Sequence, residues 1–292
     1  GFIVGPRLNA AGRLDDMSIG IECLLAESSA SARGFAEKLH QLNRERRDIE
    51  QSMQQDALAQ LESIDLEGDA SLFAMTLYDP AWHQGVIGIL ASRIRERVHR
   101  PTLVFADAEE GMLKGSGRSI AGLHLRDVLD QVATQYPGLL TKFGGHAMAA
   151  GLSLARDDLN RFKQALNDAV AEALGYTPPE RTEESDGALA RSDFGLPLAE
   201  QLASGGPWGQ HFPEPLFDGQ FFVRSHRIVG EKHLKLTLDA DGTEIEGIAF
   251  NIDVPKWLAA PLDAFHALYR LDVNEYRGER RAQLVIQSFW PC

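Results

Sequence analysis

The chain contains little cysteine and no long apolar run, and these two absences exclude several classes of protein. Cys23 and Cys292 are the only cysteines in 292 residues, too few for a disulfide framework or a thiolate metal site. No stretch of about 18 apolar residues occurs, and no basic segment followed by an apolar one opens the chain, so neither a membrane span nor a signal peptide is predicted. We therefore expect a cytoplasmic protein without a membrane partner.

The sequence also lacks the side-chain sets of common hydrolytic centres. The paired acids Asp15–Asp16 and Asp157–Asp158 have no histidine nearby at ligand spacing, and neighbouring residues on a helix point to different faces. Neither a Gly-x-Ser-x-Gly elbow nor a Cys–His pair is present. The residues alone predict neither a metal ion bound by this chain nor a reaction centre within it.

The charge of the chain is unevenly distributed. A net charge of −13 argues at first against a nucleic-acid partner, because phosphate binding uses clustered Lys and Arg. Basic residues nevertheless cluster in five short segments, Arg93–Arg100, Lys114–Arg118, Arg224–Arg227, Lys232–Lys235 and Arg277–Arg281. The total charge therefore conceals local basic patches.

The first part of the chain predicts helices and a loop. Residues 1–30 combine a glycine-rich loop, Gly5–Leu14, with a short helix near Ser18–Ala26. From Phe35 to Glu67 there is no glycine or proline, and apolar residues recur at helical spacing. This pattern predicts one long helix over residues 31–68, roughly 45 to 50 Å long, which connects two bodies.

Two further regions follow the long helix. Alternating strand and helix patterns over 69–177 predict an α/β domain. Pro178, Pro179 and the acidic run beyond them predict a linker over 178–212. Five strand patterns after it predict a small barrel over 213–292, for which the oligonucleotide-binding (OB) fold is the commonest type and an SH3-like barrel the alternative.

The segment Lys114–Ser119, KGSGRS, has residue types that suit an anion. Alternate glycines expose backbone N–H groups, Ser116 can donate from its hydroxyl, and Arg118 can bind two phosphate oxygens with its forked guanidinium. The alternative is a hairpin turn with solvated charges. Because the full Walker spacing is missing, a nucleoside-triphosphate loop is not expected.

Two other segments have related features. The loop GPRLNAAGRL at 5–14 places Arg7, Asn9 and Arg13 between glycines, which suits either anion binding or ordinary loop chemistry. The segment DPAWHQG at 79–85 lies between a predicted strand and a predicted helix, where backbone N–H groups favour anions. For its aspartate and tryptophan, a purely structural role is the preferred interpretation.

The segment Gly144–Gly151, GGHAMAAG, has a single titratable side chain, His146. The pair Gly144–Gly145 permits positive φ and lets another molecule approach the backbone. One explanation is a tight turn between helix and strand with an uninvolved histidine. The other is a contact with substrate, beside the other glycine-rich segments.

Together these motifs resemble the C-terminal part of the RecJ family, which are single-stranded-DNA-specific exonucleases of the DHH phosphoesterase superfamily. The resemblance rests on the order and spacing of several segments and covers nearly the whole chain. They are PRLNAAGRL at 6–14, WHQGVIGILASR at 82–93, KGSGRS at 114–119, GGHAMAAG at 144–151, PWGQ at 207–210 and FPEPLF at 212–217.

The resemblance implies an order of domains. Residues 1–30 correspond to the C-terminal tail of the DHH catalytic domain, 31–68 to the connector helix, 69–177 to the DHH-associated α/β domain, and 213–292 to an OB-fold single-strand-binding domain after the linker. In this family the DHH domain holds Mn²⁺ or Mg²⁺, and its Asp-His-His motif is missing here. We therefore expect an inactive fragment that binds no metal, from a parent that degrades single-stranded DNA from 5′ to 3′ in recombination and repair.

The resemblance also assigns roles to residues. Those facing the catalytic cleft would be Arg7, Asn9, Arg13 and His146. Those binding the 5′ phosphate and the nucleotide being removed would be Ser116, Arg118, Gly144, Gly145 and His146. Weaker candidates for contacts of the barrel with a single strand are Phe222, Arg224, Lys235 and Tyr276. The implied partners are single-stranded DNA and, among proteins, a single-strand-binding protein and a helicase.

Two other functions stay open from the sequence. An oligoribonuclease or a cyclic-dinucleotide phosphodiesterase of the DHH superfamily would share the α/β domain, but a short substrate gains nothing from an added barrel. A non-catalytic nucleic-acid-binding module, like the related domain of alanyl-tRNA synthetases, would not need the motif at 6–14, which resembles catalytic-domain sequence.

Overall fold

The computed structural model describes residues 3–62, 64, 71–180, 182–209, 212–252, 254–260 and 262–292. The chain forms two compact units, Gly1–Arg181 and Thr182–Cys292. Each unit has its own hydrophobic core. Among the described residues, no helix is both long and apolar enough to cross a membrane.

The N-terminal segment is helical, and the sequence-based prediction of a glycine-rich loop over Gly5–Leu14 is wrong. Helix α1 spans Val4–Leu14. Pro6 lies in its first turn, where the missing N–H costs no hydrogen bond. Ala10 and Ala11 are fully buried. Their tertiary contacts outweigh the low helix propensity of the two glycines in α1.

Two helices follow α1. Helix α2 spans Ser18–Leu25, where the sequence predicts a short helix. Helix α3, Ser29–Glu62, covers most of the segment predicted as one long helix, and positions 63 and 65–68 of that prediction lie outside the described residues. Its 34 residues reach about 50 Å at about 1.5 Å each. Leu39 and Leu42 of α3 share a core with the buried alanines of α1.

A mixed five-stranded sheet follows. Its elements are β1 Met75–Tyr78, α4 Ile87–Val98, β2 Thr102–Asp107, β3 Met112–Arg118, α5 Leu125–Gln135, β4 Lys142–Gly145, β5 Ala149–Ala155 and α6 Leu159–Ala173. The strand order is β1-β2-β3-β5-β4. Strands β1 and β2 are parallel, with α4 crossing between them, and the other neighbours are antiparallel. The predicted alternation of strands and helices is confirmed, although the glycine-rich β4 was not recognised as a strand.

The two faces of this sheet are covered unequally. Helices α5 and α6 pack on one face, in a core that includes Phe105 and Phe162. On the other face, α4 and α3 pack through Leu90 and Met53. Toward β5 and β4 this second face is open, because Gly151 of β5 and Gly144, which lies opposite it on β4, are exposed. The edge of α4 therefore lies beside an uncovered part of the sheet.

The segment over 178–212, predicted as a linker, contains helix α7, Leu196–Gly205. Pro197 occupies its first turn, a position that proline favours. Ala199 is fully buried in the core of the second unit. The prolines and acidic residues before α7 are typical of a linker, so the local sequence does not predict this helix, which tertiary packing stabilises.

The second unit contains a closed barrel. Its elements are β6 Phe217–Val229, β7 His233–Ala240, β8 Thr243–Ala249, α8 Val254–Ala259, β9 Ala264–Tyr276 and β10 Glu279–Pro291. The strand order around the barrel is β10-β8-β7-β6-β9. Side chains alternate along the strands, so Leu234, Leu236 and Leu238 of β7 fill the interior. The predicted five-stranded barrel is confirmed.

Candidate anion-binding site

The KGSGRS segment lies on a central strand, so the alternative interpretation as a hairpin turn is wrong. It belongs to β3, which pairs with β2 on one side and β5 on the other, so its backbone N–H groups take part in the sheet. A Cβ on Gly115 would lie 2.5 Å from Cε1 of Phe105, and one on Gly117 would lie 2.8 Å from Cδ2 of Leu125. The alternate glycines therefore permit close packing, and the predicted exposure of their N–H groups is wrong. Side chains on the other face of β3 are left to bind an anion.

Ser116 and Arg118 lie on that other face. Nη1 of the half-buried Arg118 donates to Oγ of Ser116 at 3.3 Å and to the carbonyl oxygen of Gly117 at 2.8 Å. Burial lowers the pKa of Arg118 from its ordinary value, and the positive charges of Arg13 and Arg95 lower it further. Within the described residues, no carboxylate pairs with Arg118. An anion would stabilise this partly desolvated guanidinium.

A cavity of about 290 Å³ lies between the first turn of α4 and β3. Arg13, Gln84, Ser116 and Arg118 line it. Gly88 of α4 lines it as well, and a Cβ at position 88 would lie 3.0 Å from both Nη2 of Arg118 and Oγ of Ser116. The cavity thus presents two guanidinium groups, a hydroxyl and an amide, which are donors that suit a phosphate.

A second cavity, of about 420 Å³, shares Arg13, Gln84, Gly85 and Lys114 with the first. Helix α1 reaches this place because Gly85 has no side chain: a Cβ there would lie 2.0 Å from the carbonyl oxygen of Arg13. Trp82 also lines the second cavity, although it is only 4% exposed, and its indole N–H has no partner among the described residues. The loop before α4 and the end of α1 therefore meet beside β3.

The GGHAMAAG segment forms the end of β4, a turn and the start of β5. Gly144 lies opposite Gly151, which lies opposite Ser116, so these residues form one row across the sheet. Gly145 has a φ of 148°, and a Cβ there would lie 2.4 Å from a carbonyl oxygen of β5, so the hairpin requires glycine. His146 follows β4 and is exposed. Gly144 therefore lies in the same row as Ser116, and Gly145 is the next residue along β4.

Of the three residues of α1 that were predicted to face the cleft, Arg7, Asn9 and Arg13, only Arg13 lines the two cavities described above. Arg7 instead contacts α3, where its Nε and Nη2 lie 3.3 and 3.1 Å from Nδ1 of His40, and its Nη1 donates to the carbonyl oxygen of Ile3 at 2.6 Å. Asn9 is exposed and lines neither cavity. The cleft roles of Arg7 and Asn9 stay predictions.

Three residues of the site were not predicted from the sequence. Gln84 and Gly88 belong to the WHQGVIGILASR segment, and Lys114 begins KGSGRS. The available signal was the position of Gln84 between a strand and a helix, where donors gather at a helix N-terminus. Gly88 gave no local signal, because its role depends on contacts with β3.

A bound divalent cation requires several oxygen or nitrogen ligands that converge on one point. In the part of the chain that the structure describes, no three His, Cys, Asp or Glu side chains form such a group. Asp107, which lines the second cavity, accepts a hydrogen bond from the hydroxyl of Tyr78 at 2.7 Å and pairs with Arg156. The described residues therefore do not fit a site for Mn²⁺ or Mg²⁺.

The barrel carries a separate cavity of about 530 Å³ that is lined by charged residues of both signs. Lys235 and Tyr276, two of the residues predicted to bind a single strand, line it together with Arg227 and Arg281. Glu246 and Glu279 line it too: Nζ of Lys235 pairs with Glu246 at 2.9 Å, and Nη2 of Arg281 pairs with Glu279 at 2.7 Å. The cavity therefore combines an aromatic ring with three cations, two of which are paired with carboxylates.

The other two predicted barrel residues lie outside this cavity. Phe222 is 64% exposed on β6. Arg224 is paired with Asp239 of β7. A single-strand contact at either residue stays a prediction. Arg227 and Arg281, which line the cavity, belong to predicted basic clusters but were not among the predicted strand-binding residues.

Two protein-family models match this chain, one in each of its two units. A family model described as "DHHA1 domain" matches residues 69–172, and one described as "RecJ OB domain" matches residues 185–288. The chain therefore combines a DHH-associated α/β domain with an OB domain, and the OB fold is the correct alternative for the barrel.

The chain belongs to the RecJ family. It is 52% identical over 293 residues to the "Single-stranded-DNA-specific exonuclease RecJ" of Dickeya dadantii (strain 3937), covering 100% of this chain and 51% of that protein. The protein of the same name from Escherichia coli (strain K12) is 48% identical with the same coverage. The solved structure of RecJ in complex with Mn²⁺ from Thermus thermophilus has a TM-score of 0.80 at 28% identity, covering 100% of this chain and 41% of that chain. The chain spans about half the length of the curated relatives it matches.

Proposed function

We propose that this chain binds the 5′-phosphorylated end of single-stranded DNA within a 5′-to-3′ exonuclease of recombination and repair. The observation that carries the proposal is Arg118, which faces a cavity with Ser116 and Arg13 and has no carboxylate partner in the described ranges. The names of the relatives support single-stranded DNA as the polymer and exonuclease as the activity.

The donors of the site suit a terminal phosphate. The forked guanidinium of Arg118 can donate to two phosphate oxygens, and Arg13 adds a second positive charge in the same cavity. A terminal phosphate carries more charge than a phosphodiester, so the site favours a 5′ end over an internal position. Binding the end there would hold the first bond to be cleaved in a constant place, which is catalysis by positioning.

Gly144, Gly145 and His146 would contact the terminal nucleotide, and Arg7 with Asn9 would face the catalytic cleft. The whole protein would use Mn²⁺ or Mg²⁺, the ions in the solved Thermus thermophilus structures, to activate water and neutralise phosphate charge. This chain would bind none itself and would be inactive alone, because its described residues do not fit such a site.

The barrel would hold the strand farther from its 5′ end. Arg227 would contact a backbone phosphate at this cavity, where Lys235 and Arg281 are paired with Glu246 and Glu279, and Tyr276 supplies a ring on which a base can stack. A cytoplasmic location, and a single-strand-binding protein and a helicase as protein partners, stay predictions from the family resemblance.

Loss of 5′-phosphate preference in Arg118→Ala tests the proposal. The anisotropy of labelled oligothymidylates, with either a 5′ phosphate or a 5′ hydroxyl, gives the preference of the 292-residue chain. Because a charge-assisted hydrogen bond contributes about 1.5 to 3 kcal/mol, the variant should lose roughly 10-fold or more of the preference. Arg118→Lys should restore part of it, since charge is kept but the fork is lost.

Arg97→Ala serves as the control, because Arg97 is exposed on the same α/β unit and lines neither cavity. This variant should bind like the unmodified chain. Equal affinity of the unmodified chain for 5′-phosphate and 5′-hydroxyl strands would contradict the proposal. Tighter binding of dinucleotides than of long strands would favour the oligoribonuclease or cyclic-dinucleotide alternative instead.

A further inference from the structure

Two lysines on neighbouring strands line one cavity beside the Arg118 site. Lys114 of β3 lies opposite Ser153 of β5, and Ser153 lies opposite Lys142 of β4. Opposed residues in antiparallel strands direct their side chains to the same face of the sheet. The Cα atoms of the two lysines are about 10 Å apart, two strand spacings. A cavity of about 230 Å³ is lined by Lys114, Lys142 and Ser153.

Within the described residues, neither ammonium group is paired with a carboxylate. Both lysines are exposed, and neither makes a hydrogen bond or an ion pair within the described part of the chain. No Asp or Glu lines this cavity. Two like charges on one small cavity repel each other, and an anion between them would remove that repulsion. The neighbouring hydroxyl of Ser153 adds a donor, so the group suits a phosphate oxygen.

The lysine cavity continues from the Arg118 site. Lys114 lines the cavity of Arg118 and Ser116 as well as the cavity of Lys142. Along β3, Lys114 is two residues from Ser116, which is about 7 Å. Gly151 lies opposite Ser116 and is exposed, so no side chain separates the two places on this face.

We propose that Lys114 and Lys142 bind the first phosphodiester after the 5′ phosphate. The inference rests on the proposed function, because it takes the Arg118 site as the position of the 5′ end. The strand would then leave that site across β5 and β4, along the part of the sheet that α4 does not cover. The lysines would thereby fix the direction of the strand, while Arg118 fixes its end.

Substrates of different length separate the two sites. Thymidine 5′-monophosphate has a 5′ phosphate and no phosphodiester, whereas 5′-phosphorylated octathymidylate has both. Lys142→Ala should leave the affinity for the monophosphate within twofold and weaken octathymidylate binding about fivefold. Lys114→Ala should weaken the binding of both ligands, because Lys114 also lines the Arg118 cavity. The double variant should lower the salt slope of octathymidylate binding by about 0.7, the value for one phosphate of a single strand.

A neutral linkage identifies the phosphate that is bound. Octathymidylate with a methylphosphonate at its first linkage should bind the unmodified chain about fivefold more weakly than ordinary octathymidylate does. The Lys142→Ala chain should bind these two ligands equally well, because the contact that the methylphosphonate removes is already lost. The matched control is Lys163→Ala on α6, which packs on the other face of the sheet; its binding should not change. Circular dichroism and thermal unfolding verify that each variant is folded.

Three outcomes separate the two proposals. If the unmodified chain does not distinguish a 5′ phosphate from a 5′ hydroxyl, both are wrong. If it does, and Arg118→Ala abolishes the preference, but Lys142→Ala binds octathymidylate as tightly as before, only the assignment of the lysines is wrong. If Lys142→Ala weakens binding but stays sensitive to the first methylphosphonate, the lysines contact another phosphate, which also overturns the assignment.

Discussion

Gly88 shows how an absent side chain shapes the candidate anion site. It lies in the first turn of α4, and a Cβ there would lie 3.0 Å from Nη2 of Arg118 and from Oγ of Ser116. Such distances are shorter than ordinary contacts of a methyl group, so one of the two side chains would have to move. The position of the guanidinium therefore depends on a residue that has no polar group of its own.

Gly88→Ala should reduce the 5′-phosphate preference without unfolding the chain. Because Arg118 is displaced rather than removed, the loss should be smaller than that of Arg118→Ala, roughly 3- to 10-fold. Anisotropy with 5′-phosphate and 5′-hydroxyl strands measures it. The matched control is Gly34→Ala on the exposed side of α3, where a Cβ meets no atom within 4 Å. That control should stabilise the helix by about 0.5 to 1 kcal/mol and leave binding unchanged; unchanged binding in Gly88→Ala would contradict the positioning role.

Helices α3 and α4 are joined by one carboxylate. Glu50 of α3 pairs with Arg46 of the same helix and with Arg93 of α4, whose Nε lies 3.5 Å from Oε1 of Glu50. The Arg46 side chain is 10% exposed, and its Nη2 also donates to Asn43 at 3.1 Å. Burial lowers the pKa of Arg46, whereas the charge of Glu50 raises it. Without Glu50, a buried guanidinium would keep its charge and lose its counter-ion.

Glu50→Gln should destabilise the first unit by about 3 kcal/mol, the cost of leaving a buried charge unpaired. Urea unfolding followed by circular dichroism measures the change. Glu45→Gln is the control, since Glu45 is exposed on the same helix and a neutral side chain there leaves Arg46 paired. Equal stability of the two variants would show that Glu50 does not hold α3 and α4 together.

In the molecule as a whole, the two units have separate cores and different charged networks. In the barrel unit, the carboxylate of Asp218 accepts hydrogen bonds from the hydroxyl of Ser185 and from Nε2 of His266, the latter at 2.9 Å. The bond from Ser185, followed by the interactions with His266, lowers the pKa of Asp218 below its ordinary value of 3.8. Because the folded pKa is depressed, this stabilisation is present above pH 3.8 and is lost as the pH falls through the folded pKa.

Asp218→Asn should therefore alter the acid dependence of one unfolding transition. Calorimetry should resolve two transitions, one for each unit. In the variant, the barrel transition should occur at a lower temperature at about pH 6, and its further decrease between about pH 6 and pH 3 should be smaller than in the unmodified chain. Asp241→Asn, at an exposed turn where φ is 49°, is the control because asparagine tolerates that conformation. Identical acid dependence of the barrel transition in the Asp218 variant would contradict the prediction.

The sequence by itself determined the long helix α3, the alternation of strands and helices around β3, and the five strands of the barrel. Each depends on periodicity within a single segment, which is local information. It also identified the residue types of the anion site, because Ser116 and Arg118 are donors that suit phosphate. The presence of α7 escaped it, since burial of Ala199 in the barrel core stabilises that helix.

Only the tertiary structure decided what the glycines of each glycine-rich segment do. The segment at 5–14 is helix α1, KGSGRS is a central strand, and GGHAMAAG is a hairpin. Glycine is favoured both where φ is positive, as at Gly145, and where a neighbour leaves no room for a Cβ, as at Gly115. The neighbours that distinguish the two cases, such as Phe105, come from other strands. The sequence does not predict the pair Lys114 and Lys142 either, because only the register of strands β3, β5 and β4 places both lysines on one face of the sheet.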